Sequence, residues 1–365
     1  MVMAGLWIKG PQNVGTGRQV STTGQAKSWA PGGRGAACTA GTNAHNPGMK
    51  NHFADRLIAA IDAKSAPVCA GLDPRPDWIP REFYARAREQ HGNTPAAIVA
   101  AVRDFCLEVT SLVAPHVAAV KPNAAFFEAL GPGGYDILFA ISQRAHELGL
   151  LVIADVKRGD IGSTSDAYAS SLFGSTELDG IRLPSMQADA ATVSPYLGSD
   201  GVLPFVKRAR EHGCGIYVLA RTSNPGSAEL QQLVLKSGSA VVDEMARLIE
   251  GWGAPAIGAC GYSDVGAVVG ATHPDAAVHL RKLMPRTHFL VPGWGAQGGD
   301  AKAVRACFDA AGKGAIVNSS RGVMHAYANG PLKAYGEARW RDAVRDAAAQ
   351  LRQEVHALSR EPLAG

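Results

Sequence analysis

The chain has 365 residues, 46% of them hydrophobic and 19% charged, which is the composition of an ordinary globular protein with ample material for a core. Its formal charge of +4 is unevenly placed: residues 1–50 hold five Lys/Arg and no acid, so the remaining 31 basic and 32 acidic residues sum to −1. That body offers no basic footprint for nucleic acid or an anionic membrane, and no apolar run reaches the roughly 18–20 residues of a membrane span.

Residues 1–50 read differently from everything after them, with ten glycines and almost no periodic apolar pattern. Such a stretch buries too little apolar surface to offset the cost of ordering its backbone, so a disordered basic extension is expected. It lacks the apolar core of a secretory signal, and it resembles a transit peptide only in being basic and free of acids. The six cysteines (Cys38, Cys69, Cys106, Cys214, Cys260 and Cys307) are scattered, with no C-x-x-C pair. Reduced thiols in a cytoplasmic protein, and no zinc site, are expected.

From residue 51 to about 360 short apolar runs alternate with stretches of helical period, as one domain. The predicted strands are 68–73, 117–123, 151–157, 189–195, 215–221, 265–271, 288–293 and 314–319. Each is short and almost continuously apolar, as befits a strand buried on both faces. His116, just before the second, is expected to be satisfied in packing. A polar connection at 174–187 precedes the fourth strand and has no evident role. In the last helix Trp340, Val344, Leu351, Val355 and Leu358 share one stripe, while Arg341, Asp342, Arg345 and Gln353 face outward. Eight β/α units predict an α/β protein of the (β/α)₈ barrel class (a TIM barrel). A doubly wound open sheet is the alternative, but no G-x-G-x-x-G follows the first strand.

In such barrels the chemistry sits on loops after the C-terminal strand ends. Polar residues gather at those ends here: Asp73, Lys121, Asp155 with Lys157, Arg221 with Ser223, Gln297 and Arg321. Asp155 and Lys157 are two apart on one strand, so both side chains should project from one face. Asp160 follows where the strand has become a turn, and need not point back toward Lys157. A lone Asp/Lys pair reads as a structural ion pair. Several charges at successive strand ends need another reason, because desolvation costs several kcal/mol per ion. A lysine held between carboxylates stays protonated and can act as a general acid. The glycines 293, 295, 298 and 299 let backbone approach an anion, and Gln297 and Arg321 add donors after the seventh and eighth strands, where barrels commonly bind phosphate.

The stretch Asp155-Val-Lys157-Arg158-Gly159-Asp160-Ile161-Gly162-Ser163-Thr164 closely resembles the signature of orotidine 5′-phosphate decarboxylases. Its D-x-K-R-G-D-I form is similar to the bacterial, mycobacterial-type branch. Gly71-Leu72-Asp73-Pro74, Lys121-Pro122-Asn123, Thr222-Ser223-Asn224-Pro225-Gly226, Val291-Pro292-Gly293 and Asn318-Ser319-Ser320-Arg321-Gly322 follow in family order. Ser194 and Trp294 depart from the pattern. The resemblance implies decarboxylation of orotidine 5′-monophosphate to uridine 5′-monophosphate, the last step of its de novo synthesis, with no cofactor and no metal. It implies Lys157, Asp155, Asp160 and Lys121 as catalytic residues, with Lys157 protonating C6. Asp73, Thr164, Ser223, Gln297, Arg321 and Gly322 would bind substrate, and Asp160 and Thr164 would reach the neighbouring site of a homodimer. Two alternatives stand beside it: a phosphosugar decarboxylase or synthase of the same barrel using a magnesium-stabilised enediolate, and a nucleotide-binding protein without turnover.

Overall fold

The computed structural model describes residues 52–270, 274–294, 300–329 and 332–362; the basic extension and Gln297 lie outside them. The eight apolar runs form the strands β1 (Val68–Leu72), β2 (Ala119–Pro122), β3 (Leu151–Arg158), β6 (Ala190–Val193), β7 (Gly215–Arg221), β8 (Val265–Val269), β9 (Phe289–Val291) and β10 (Ala315–Ser319). They close in the order β1-β2-β3-β6-β7-β8-β9-β10, and β10 pairs with β1 in parallel. The expected barrel is therefore present: β7 has the predicted bounds, β3 runs one residue further, and the other six strands are trimmed by one or two residues at one or both ends.

Period-2 geometry sorts the side chains. Along β1, Val68, Ala70 and Leu72 point outward into the layer shared with the helices, whereas Cys69 points inward. The inward set also holds Ala119, Ile153, Ala190, Tyr217, Val268, Leu290 and Ile316, all buried, so the axis is filled with side chains. The helix Phe53–Lys64 precedes β1 and sits across the N-terminal end of the barrel. Its Phe53 meets Tyr217 edge-on at 6.0 Å, and Arg56 pairs with Asp189 at the start of β6. The terminal helix Trp340–Ser359 buries Trp340, Val344, Leu351, Val355 and Leu358, the predicted stripe.

Two expectations need correcting. The 174–187 connection contains an antiparallel hairpin, β4 (Ser175–Leu178) and β5 (Ile181–Pro184). Asp179 and Gly180 form its two-residue turn with φ of 52° and 72°, the paired positive φ that a tight hairpin requires. Second, His116 is not fully satisfied in packing: its Nδ1 is buried with no hydrogen-bond partner among the described residues.

Candidate active site

At the C-terminal ends of the strands lies a cavity of about 420 Å³, within the range of small-molecule sites. Asp73, Lys121, Asp155, Lys157, Ser223 and Arg321 all line it, contributed by five different strand ends. Asn123, Thr192, Thr222, Asn224, Trp294, Asn318 and Ser320 complete its polar wall.

Its floor is a chain of charges. Lys121 Nζ donates to Asp155 Oδ2 at 2.6 Å, and Lys157 Nζ donates to Asp155 Oδ1 at 2.5 Å. Lys121 and Asp155 are only 5% and 8% exposed, whereas the Lys157 side chain is 49% exposed and reaches into the cavity. Burial works against the charge on Asp155, but the two ammoniums outweigh it and hold the carboxyl far below the usual carboxylate range. Burial likewise opposes the charge on Lys121, and Asp155 with Asp73 outweigh it, leaving its pKa raised. Lys121 thus lies between two carboxylates, Asp155 and Asp73, whereas Lys157 pairs with Asp155 alone among the described residues.

The route by which Asp155 and Lys157 come together also differs from simple alternation. The pairing of β3 with β6 slips between Ala154 and Arg158, and Lys157 adopts φ of 46°. A left-handed conformation at a non-glycine residue costs of order 1–3 kcal/mol and persists only where neighbours enforce it. The bulge, not the regular strand, turns Lys157 back over Asp155.

Asp73 Oδ1 is buried without a partner among the described residues, an acceptor left for something entering the cavity. Behind it His325 is buried, with its Nε2 3.3 Å from the Asp73 carbonyl oxygen. Burial pulls the His325 pKa down to about 4, so the ring is neutral near pH 7. Across the cavity Ser223 follows β7, and a Cβ added to Gly270 would lie 2.9 Å from the Ser223 backbone nitrogen. Only glycine permits that approach. At the far wall Gly293 takes φ of 100°, and Arg321 opens the short helix Arg321–Met324, with Gly322 in the same turn.

Not every predicted residue reaches the cavity. Asp160 accepts from the Ile161 amide at 2.8 Å and is not among the lining residues. Thr164 lines a separate lateral groove beside Tyr135, Phe139 and Tyr168. Arg221 is buried away from the cavity, donating to Ser227 Oγ at 2.7 Å and Gln231 Oε1 at 3.1 Å. Gln231 in turn accepts from the Thr222 amide and donates to Thr222 Oγ1, bracing the Ser223 loop. Thr192 and Gln231 are functional candidates that sequence reasoning missed. A threonine in the inward register at a strand end was a usable signal for Thr192, whereas nothing local marks Gln231. Among the described residues no group of three or more His, Cys, Asp or Glu is arranged to hold a metal ion, and no helix is long and apolar enough to cross a membrane.

Residues 55–337 match the model of the family described as orotidine 5'-phosphate decarboxylase / HUMPS. The chain is 45% identical over 304 residues to an orotidine 5'-phosphate decarboxylase of Rhodopirellula baltica, covering 83% of this chain and 98% of the relative. It is 37% identical over 282 residues to the enzyme of that name from Caldicellulosiruptor bescii, covering 76% and 91% of the two chains. Among solved structures, the OMP decarboxylase of Leishmania donovani superposes with a TM-score of 0.62 at 33% identity, over 84% of this chain and 98% of that one.

Proposed function

Because the chain belongs to the orotidine 5'-phosphate decarboxylase / HUMPS family, we propose that it converts orotidine 5′-monophosphate to uridine 5′-monophosphate and carbon dioxide. It is a carboxy-lyase of pyrimidine biosynthesis. The observation that carries the reading is the Lys121–Asp155–Lys157 chain on the floor of a nucleotide-sized cavity.

In this reading the bond between C6 and the carboxyl carbon breaks, and its electron pair stays on C6. The Lys157 ammonium lies where that negative charge develops, stabilises it and then gives C6 its proton; solvent restores the proton to Lys157. A charge fixed before the reaction needs no reorganisation as the carbanion forms. Asp155 sits beside the departing carboxylate and keeps Lys157 in place, while Lys121 anchors Asp155 from below. Asp73, with its unpartnered oxygen, accepts from a ribose hydroxyl. Ser223 reads the pyrimidine edge, and Arg321, Gly322 and Gln297 take the phosphate. Binding energy from that remote phosphate helps orient the reacting carbon.

The finer assignments rest on the signature and belong to the same proposal. The D-x-K-R-G-D-I form supports membership of the bacterial, mycobacterial-type branch. Asp160 and Thr164, which are not among the residues lining this chain's own cavity, serve the partner's site in a homodimer. Residues 51–360 act as one catalytic barrel domain in the cytoplasm, preceded in the sequence by the basic, glycine-rich extension of residues 1–50.

The test is direct. Purified protein treated with a chelator should deplete the absorbance of orotidine 5′-monophosphate, and Lys157→Ala should abolish nearly all turnover. Full activity in that variant would remove Lys157 from the mechanism, and activity lost on chelation and restored by magnesium would favour the enediolate alternative.

A further inference from the structure

The slip in the β3–β6 pairing creates a hydrogen-bonding problem that one side chain solves. Ala154 pairs with Ala191 and Arg158 with Val193, so Asp155, Val156 and Lys157 on β3 face only Thr192 on β6. The Lys157 amide loses its ladder partner, and an unpaired buried amide costs about 1–3 kcal/mol. Thr192 Oγ1 accepts from that amide at 2.9 Å and donates its own hydrogen to Asp155 Oδ1 at 3.0 Å. The residue is 1% exposed and lines the cavity.

A hydroxyl is suited to this place because it is donor and acceptor at once. Its acceptor side holds the Lys157 backbone in the left-handed conformation, at φ of 46°. Its donor side fixes the rotation of the Asp155 carboxylate, so that Oδ1 faces Lys157 and Oδ2 faces Lys121. Valine has the same shape but satisfies neither group.

We propose that Thr192 is a positioning residue for the reaction: it locks the Lys157 backbone and the Asp155 carboxylate into one rigid unit, setting where the Lys157 ammonium stands. The inference rests on the decarboxylase reading for its kinetic consequence, but its structural part stands apart from it. A small displacement of a reacting group costs on the order of 10–100-fold in rate, so Thr192→Val should lower kcat by that factor. KM should stay within about threefold, because the ribose, base and phosphate contacts are untouched. Thr192→Ser keeps the hydroxyl and should stay within about threefold of the parent in both constants.

The test compares the parent, Thr192→Val and Thr192→Ser in steady-state kinetics, and follows hydrogen exchange of the Lys157 amide by NMR. The amide should exchange slowly in the parent and the serine variant, and markedly faster in the valine variant. If Thr192→Val fails to fold, Thr192→Ala removes the hydroxyl without a second methyl and carries the same expectation. An unchanged kcat in a folded hydroxyl-free variant would overturn the proposal. So would an equal loss in the serine variant, or a loss seen wholly in KM, because each would point to packing instead. A parent protein inactive on orotidine 5′-monophosphate would sink the decarboxylase reading alone, leaving the amide exchange to judge the lock.

Discussion

Replacing Asp155 by asparagine tests the charge chain without changing its shape. The substitution removes one negative charge from between two ammoniums and sets an amide NH₂ against one of them. At an effective dielectric near 20, unit charges roughly 4 Å apart interact by about 4 kcal/mol. Only Lys121 is exposed to that full loss, because Lys157 is 49% exposed and water screens it. Removing one partner of a buried ion pair leaves the other uncompensated, so a loss of about 3–5 kcal/mol is expected at pH 7. A domain of roughly 300 ordered residues unfolds with an entropy near 0.6 kcal/mol/K, which converts that loss to a fall in Tm of about 5–8 °C. The pH dependence supplies an independent check on its sign. In the variant, burial acts on Lys121 with its main counter-charge gone, so its folded pKa drops below 10.5, the ordinary value. The unfolded chain then binds more protons than the native one, and the variant gains stability as pH rises toward that value. The parent, whose Lys121 pKa is raised, shows no such gain. Thermal unfolding of both proteins at pH 7 and pH 9.5 measures this. A Tm difference under about 1.5 °C at pH 7, or one that widens with pH, would refute the reasoning.

Two further outcomes are expected. His325 and His288 are buried, and burial lowers their pKa values from 6.5 to about 4 and about 3. Between pH 6.5 and those values the unfolded chain takes up protons that the native chain refuses, so stability falls as pH falls, by about 4 kcal/mol for the pair at pH 5; urea midpoints equal at pH 7 and pH 5 would contradict this. Gly270→Ala drives a methyl into the Ser223 backbone and should raise KM for the nucleotide on the order of tenfold while the fold persists, as near-native circular dichroism and steady-state kinetics would report; an unchanged KM would remove that close approach from recognition.

Most of the barrel was legible because parallel strands covered on both faces must be short continuous apolar runs, and eight of them leave few ways to close. The hairpin at 175–184 was overlooked although Asp179-Gly180 carries a hairpin turn's chemistry; its flanking residues Leu178 and Ile181 are exposed and showed no inward-facing pattern. Of the residues that strand-end polarity marks, Asp73, Lys121, Asp155, Lys157, Ser223 and Arg321 line one cavity. It failed for Arg221, since the β7–β8 register shifts between Leu219 and Arg221 and turns the guanidinium away from the lumen. It also missed the partner of the Lys157 amide. Both failures have one origin: a bulge depends on how two distant strands align, and no local period encodes that.

The helix Phe53–Lys64, lying across the end of the barrel opposite the cavity, makes traffic through the molecule one-ended. Below Asp155 the axis is occupied by Cys69, Ile153, Tyr217 and Ile316, and Phe53 stoppers the base. On the proposed reaction, a gas molecule released beside Asp155 meets filled packing below it among the described residues. It must leave by the same doorway that admitted the nucleotide, slipping past the bound product or following it out.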